Sequence, residues 1–164
     1  MLCIWCKGDF DDIEGPVHEY MESTPGCWAA YSKLLSIEYE NYTLYRDIHR
    51  LTVDTYGVQH PGQPSRKSIQ SVWGHLIAMR FYLEQGLDGD TTRWRLGQFL
   101  EQGHDLTWLP PPDFSDTLKV SHVLAASSST DHICRVREWG NSVYACWTQM
   151  HASEIEGMFR RAFK

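Results

Sequence analysis

Two groups of residues in this chain are of a type and spacing that could do chemistry. The first opens with Cys3-Ile4-Trp5-Cys6, a pair of thiols two residues apart. That spacing lets two thiolates close on one tetrahedral ion, and backbone N–H groups can bond the sulfurs. A closed zinc site needs two more ligands, and His18 and Cys27 are the nearest candidates downstream. Together they predict a Cys₃His site for Zn2+ made of Cys3, Cys6, His18 and Cys27. Cys27 adds its own argument. Thr24-Pro25 is a helix start, so Cys27 falls at the third helical position, where free amides and the helix dipole favour a thiolate. Two other readings compete: buried or frayed thiols without metal, and a redox dithiol. The dithiol reading lacks the βαβ setting in which CxxC oxidoreductases carry theirs.

The second group lies between His49 and Gln85 and contains His49, Asp54, His60 and His75. If these converge, neutral imidazoles and a carboxylate can ligate a metal or act as general acid and base, which makes them the candidate catalytic residues. Spacing limits the idea. Asp54 is five residues past His49, about 140° round a regular helix, so the two cannot chelate side by side. Asp54 can instead pair with Arg50 one turn back, and His60 sits in a tight His-Pro-Gly loop. His75 is mid-helix among apolar residues and can meet His49 only across two antiparallel helices. Buried, hydrogen-bonded histidines are the commoner outcome of such a pattern. His104, His122, His132 and His151 have no useful spacing. Cys134 and Cys146 read as core or flank residues, and the stripe Trp139, Tyr144, Trp147 reads as core more readily than as a ligand pocket.

The elements that position these groups follow from periodicity and breaks. A first helix runs from Pro25 to about Glu40, and a second covers Thr43 to Tyr56 and stops at Gly57 and the His60–Pro64 string. Ser65 caps a third through about Gln85, apolar on most of its circumference and therefore buried. Asp90 or Thr91 starts a fourth that ends at Gly103. Residues 104–129 are mainly irregular around Pro110-Pro111-Pro112, and Leu118–Ala126 reads as a short helix or a short strand, with helix the favoured of the two. A long helix begins at Ser129 or Thr130, and a last one starts near Ala152. Strand signals are weak, so the fold class is all-α: an irregular helical bundle of about five to six helices. Residues 1–23 form a loop-rich N-terminal segment that a metal would pin, since binding energy can substitute for a core.

Length and composition set the outer bounds. With 164 residues the chain suits a single domain spanning 1–164. Aromatics at 13% exceed what a disordered chain carries, so the chain folds. A net charge of −6 without a basic block argues against nucleic acid as a partner. No apolar run reaches membrane length, and five cysteines without a disulfide-framework spacing suit a reducing compartment, so a soluble cytoplasmic protein is expected. A small molecule or a protein remains as partner, and an interaction module using the acidic surface or the Pro110–Pro112 loop is a further reading. Whether the chain is an enzyme is not decided by these residues.

Several strings together resemble an uncharacterised bacterial family catalogued as a domain of unknown function. They are Ser23-Thr24-Pro25-Gly26-Cys27-Trp28, His49-Arg50-Leu51-Thr52-Val53-Asp54 with Tyr56, Val58-Gln59-His60-Pro61-Gly62, Ser68-Ile69-Gln70-Ser71-Val72 and Trp108-Leu109-Pro110-Pro111-Pro112. The resemblance implies that Cys3, Cys6, His18 and Cys27 match the family's N-terminal Cys/His pattern, and His49, Asp54 and His60 its central one. It implies no activity. The acidic run from Asp9 to Asp12 departs from the family's shorter link.

Overall fold

A computed structural model describes residues 1–163. Seven α-helices are present among them, and the only strand-like pairing is an isolated bridge between Leu2 and Asp9. The fold is all-α, with one helix more than the upper expectation.

Helix α1 (Pro25–Glu40) starts as the sequence dictates: Thr24 is the cap, its Oγ1 accepting from the Cys27 amide at 3.4 Å, and Pro25 opens the first turn. The single helix expected over Thr43–Tyr56 is two, α2 (Tyr42–Asp47) and α3 (His49–Gln59). Asn41 caps α2 by accepting from the Thr43 and Leu44 amides. Ile48, fully buried, breaks the line with φ −136° and ψ −21°. Backbone bonds from Ile48 to Leu44 and from Thr52 to Ile48 continue across the break, so it redirects the chain at little cost in hydrogen bonding.

Helix α4 (Arg66–Leu83) is capped by Ser65, and α5 (Gly89–Glu101) by Asp88 rather than by the later residues its periodicity suggested. The short helix predicted after the proline run is α6 (Val120–Leu124). The two helices expected at the end form one element, α7 (Ser129–Ala162), bent at His151, where φ is −130° and ψ 30°. His151 Nε2 donates to the Pro110 carbonyl at 2.7 Å, which ties the bend to the proline run. Trp73 Nε1 does the same for the Thr107 carbonyl, so this irregular stretch is fastened to α4 and α7.

Helix α3, not α4, is the most enclosed element. His49, Leu51, Thr52 and every residue from Asp54 to Gln59 are buried. Its polar side chains are paired from all sides. Trp139 of α7 donates to Gln59 Oε1 at 3.0 Å, and Gln59 Nε2 donates to Thr117 at 2.8 Å. Trp147 donates to the Val58 carbonyl at 3.2 Å. The Trp139/Trp147 stripe is therefore core: both indoles are fully buried and end on α3. None of the described helices is long and apolar enough to cross a membrane.

Residues 1–23 carry no helix and lie along α1 and the turn after α3. Two close backbone approaches locate them. The Asp11 carbonyl lies 2.1 Å from where a side chain on Gly26 would begin, and the Tyr20 carbonyl 1.9 Å from the same point on Gly62, which also has φ +68°. Only glycine admits the segment at both places.

Candidate metal centre

Four buried side chains converge where this segment meets α1 and the end of α3. Cys3, Cys6, Cys27 and His60 bring their ligand atoms within 4.8 Å of one another, and none is more than 1% exposed. His60 Nε2 lies 3.5 Å from Cys3 Sγ and 3.4 Å from Cys27 Sγ, and Cys6 Sγ lies 3.9 Å from Cys27 Sγ. A tetrahedron with metal–sulfur bonds of about 2.3 Å and a metal–nitrogen bond of about 2.0 Å has S–S edges of about 3.8 Å and S–N edges of about 3.5 Å. The three separations lie on those edges. The group could hold a metal ion.

Local structure explains each ligand. Cys3 and Cys6 sit on a tight turn closed by Cys3 N–H to the Gly8 carbonyl at 2.8 Å and Lys7 N–H to the Cys3 carbonyl at 3.2 Å. Lys7 pays for the turn with φ 59°, unusual for a residue with a side chain. Cys27 occupies the first turn of α1, facing the positive end of the helix. His60 follows the last turn of α3, and its Nδ1 lies 3.0 Å from the Tyr56 carbonyl. A carbonyl only accepts, so Nδ1 carries the proton and the Nε2 lone pair faces the sulfurs, the tautomer a metal requires. Tyr56 braces the site further: its ring stacks on His60 at 3.9 Å and on Tyr31 at 3.7 Å, and its hydroxyl lies 3.6 Å from Cys27 Sγ.

The electrostatics favour a cation. Hydrogen bonds from Cys27 and Cys6 hold the Cys3 thiol far below its ordinary range. Cys27, which donates to Cys3 and Cys6 and is buried, is pushed far above it. Cys6 gains from Cys27, but donation to Cys3, burial and the Cys3 charge outweigh that and push it up to about 11. A divalent ion among the three sulfurs would favour the thiolate form of each.

His18, the expected fourth ligand, lies outside this group. Its Nδ1 accepts from the Tyr20 and Met21 amides at 3.4 and 3.3 Å, and its ring packs on Trp28 with centroids 5.4 Å apart. It closes a turn. The residue that joins the sulfurs is His60, which the sequence placed in the central group. One signal did point there: an imidazole one step past a helix end, fixed by Pro61-Gly62, is a rigidly held ligand.

The rest of the central group separates. His49 Nδ1 donates to Glu38 Oε2 at 2.7 Å, and His132 Nε2 and Thr52 Oγ1 donate to Glu38 Oε1 at 2.9 and 2.6 Å. Burial raises the Glu38 pKa, but the bonds from His132, His49 and Thr52 outweigh it and hold the carboxyl below its usual range. Asp54, also fully buried, accepts the Arg50 guanidinium on both oxygens and His75 Nδ1 at 2.8 Å. The expected i, i+4 partner of Asp54 is thus in place. His49 and His75 do not meet; each is hydrogen-bonded to a separate buried carboxylate, the commoner outcome for such a pattern. The role of Glu38 as an acceptor shared by His49, Thr52 and His132 was not foreseen.

A family model described as a family of unknown function, DUF5946, matches residues 1–148. No curated protein and no solved structure matches the chain. The family match contains all four converging ligands and runs from the cysteine turn well into α7, so the chain belongs to this family of unknown function.

Proposed function

We propose that the protein binds one zinc ion through Cys3, Cys6, Cys27 and His60, and that the ion is structural. The observation that carries this reading is the convergence of three buried sulfurs and one buried imidazole within 4.8 Å, with three of their separations at tetrahedral edge lengths. Sulfur-rich tetrahedral sets select zinc among common divalent ions, and four protein ligands leave no coordination position for a substrate. What such an ion would do follows from the segment it fastens. Most residues from Asp11 to Glu19 are exposed, and the segment's ion pair to the helices, Glu19 with Lys67, lies in solvent. Exposed pairs of this kind contribute about 0–1 kcal/mol. Phe10, Met21 and the cysteines are its main buried anchors. The ion joins the segment to the start of α1 and the end of α3, and thiolates kept for this purpose suit a reducing, cytoplasmic setting.

The test is metal analysis of protein purified without chelators. About one zinc per chain is expected, and its loss in Cys27→Ser together with a lower melting temperature. Metal-free protein with an unaltered fold would end the proposal.

A further inference from the structure

We infer that Cys6 and Cys27 form a reversible disulfide when the site meets a hydroperoxide, exchanging a metal fastening for a covalent one. The inference rests on the zinc reading for its resting state. Cys6 Sγ and Cys27 Sγ already touch at 3.9 Å, and they belong to chain positions 21 residues apart. A disulfide needs about 2.0 Å between sulfurs, so the two must close further once the ion no longer sits between them. Cys3 is the less suited partner. Both its backbone N–H and its carbonyl are held by hydrogen bonds in the turn. The sulfurs are buried, while Leu2 and Ile4 beside Cys3 in the chain are 65% and 53% exposed.

The chemistry balances. One thiolate attacks a peroxide oxygen, the O–O bond breaks, and a sulfenic acid forms as an alcohol or water leaves. The second thiolate attacks that sulfur, the S–O bond breaks, and hydroxide leaves as water after protonation. Two thiolates, one hydroperoxide and two protons become one disulfide, one water and one alcohol (or a second water). The metal departs as an unchanged divalent cation, because Cys3 and His60 alone do not close a tetrahedral site. The bond retains residues 1–23 against α1. Pairing of Cys3 with Cys6 would instead free the segment.

The experiment treats zinc-loaded, full-length protein carrying Cys134→Ser and Cys146→Ser with hydrogen peroxide. Released zinc is followed with a chromogenic chelator, disulfides are mapped by mass spectrometry, and proteolysis within residues 1–23 is compared before and after. Expected are a Cys6–Cys27 disulfide, about one zinc released per disulfide, an N-terminal segment that stays protected, and reversal by a dithiol reductant. A disulfide involving Cys3, or three thiols that stay reduced with zinc retained, would overturn the inference. Zinc content is measured first on the same preparation. Its absence sinks the structural-zinc reading by itself, while the disulfide map still decides the pairing.

Discussion

Replacing His60 with alanine separates the metal account from a metal-free packing account of the same pocket. The side chain is 1% exposed and stacks on Tyr56, so its removal costs about 1–3 kcal/mol of packing whether or not a metal binds. The metal contribution is read separately by adding a chelator. An ion held at free concentrations about 1,000-fold above its dissociation constant stabilises the folded state by about 4 kcal/mol. At about 2–4 °C per kcal/mol for a chain of this size, stripping it lowers the melting temperature by about 8–16 °C. Differential scanning calorimetry with and without chelator is the assay. The parent protein should show that drop, and His60→Ala should start low and show almost none. His18→Ala should keep the parent's chelator response, since His18 serves two backbone amides and not the site. A parent insensitive to chelator, or a response lost in His18→Ala and kept in His60→Ala, refutes the reasoning.

Three further outcomes follow from the buried polar groups and the segment's path. Glu38 has a depressed pKa in the fold, so its stabilisation is complete above the unfolded value of about 4.3 and is lost as pH falls through the folded one; urea midpoints measured against pH should fall less steeply on the acid side in Glu38→Gln. Asp54→Ala leaves Arg50 and His75 facing an empty, buried position and should cost about 3–5 kcal/mol in urea unfolding; a loss below about 1 kcal/mol would mean that Arg50 finds solvent instead. Gly62→Ala should push the Tyr20 carbonyl away and strain a positive φ, speeding amide hydrogen exchange near Tyr20 while amides of α3 and α4 stay protected.

The local chemistry of this chain was easy to read in sequence where one residue decides the outcome. Thr24-Pro25 sets the start of α1, Ser65 that of α4, and the three cysteines that converge were singled out from a CxxC and a helix-start thiol. What escaped was decided by packing between distant segments. His18 and His60 are both plausible imidazoles by type. Only the route of α3 beneath the first turn of α1 brings His60 to the sulfurs, and only the turn at Tyr20–Met21 occupies His18. The enclosure of α3 was hidden because its buried face is polar. Thr52, Asp54 and Gln59 look solvated until Glu38, His75 and Trp139 arrive from α1, α4 and α7. The break at Ile48 has no glycine or proline to announce it, and burial of that side chain accompanies it.

The central claim is most directly tested by a crystal structure of protein purified without chelators, with diffraction recorded on both sides of the zinc absorption edge. The account predicts one strong anomalous peak, present only above the edge, at bonding distance from the sulfurs of Cys3, Cys6 and Cys27 and from His60 Nε2. No peak at that position, or a peak bound by His18 with His60 turned away, would contradict it.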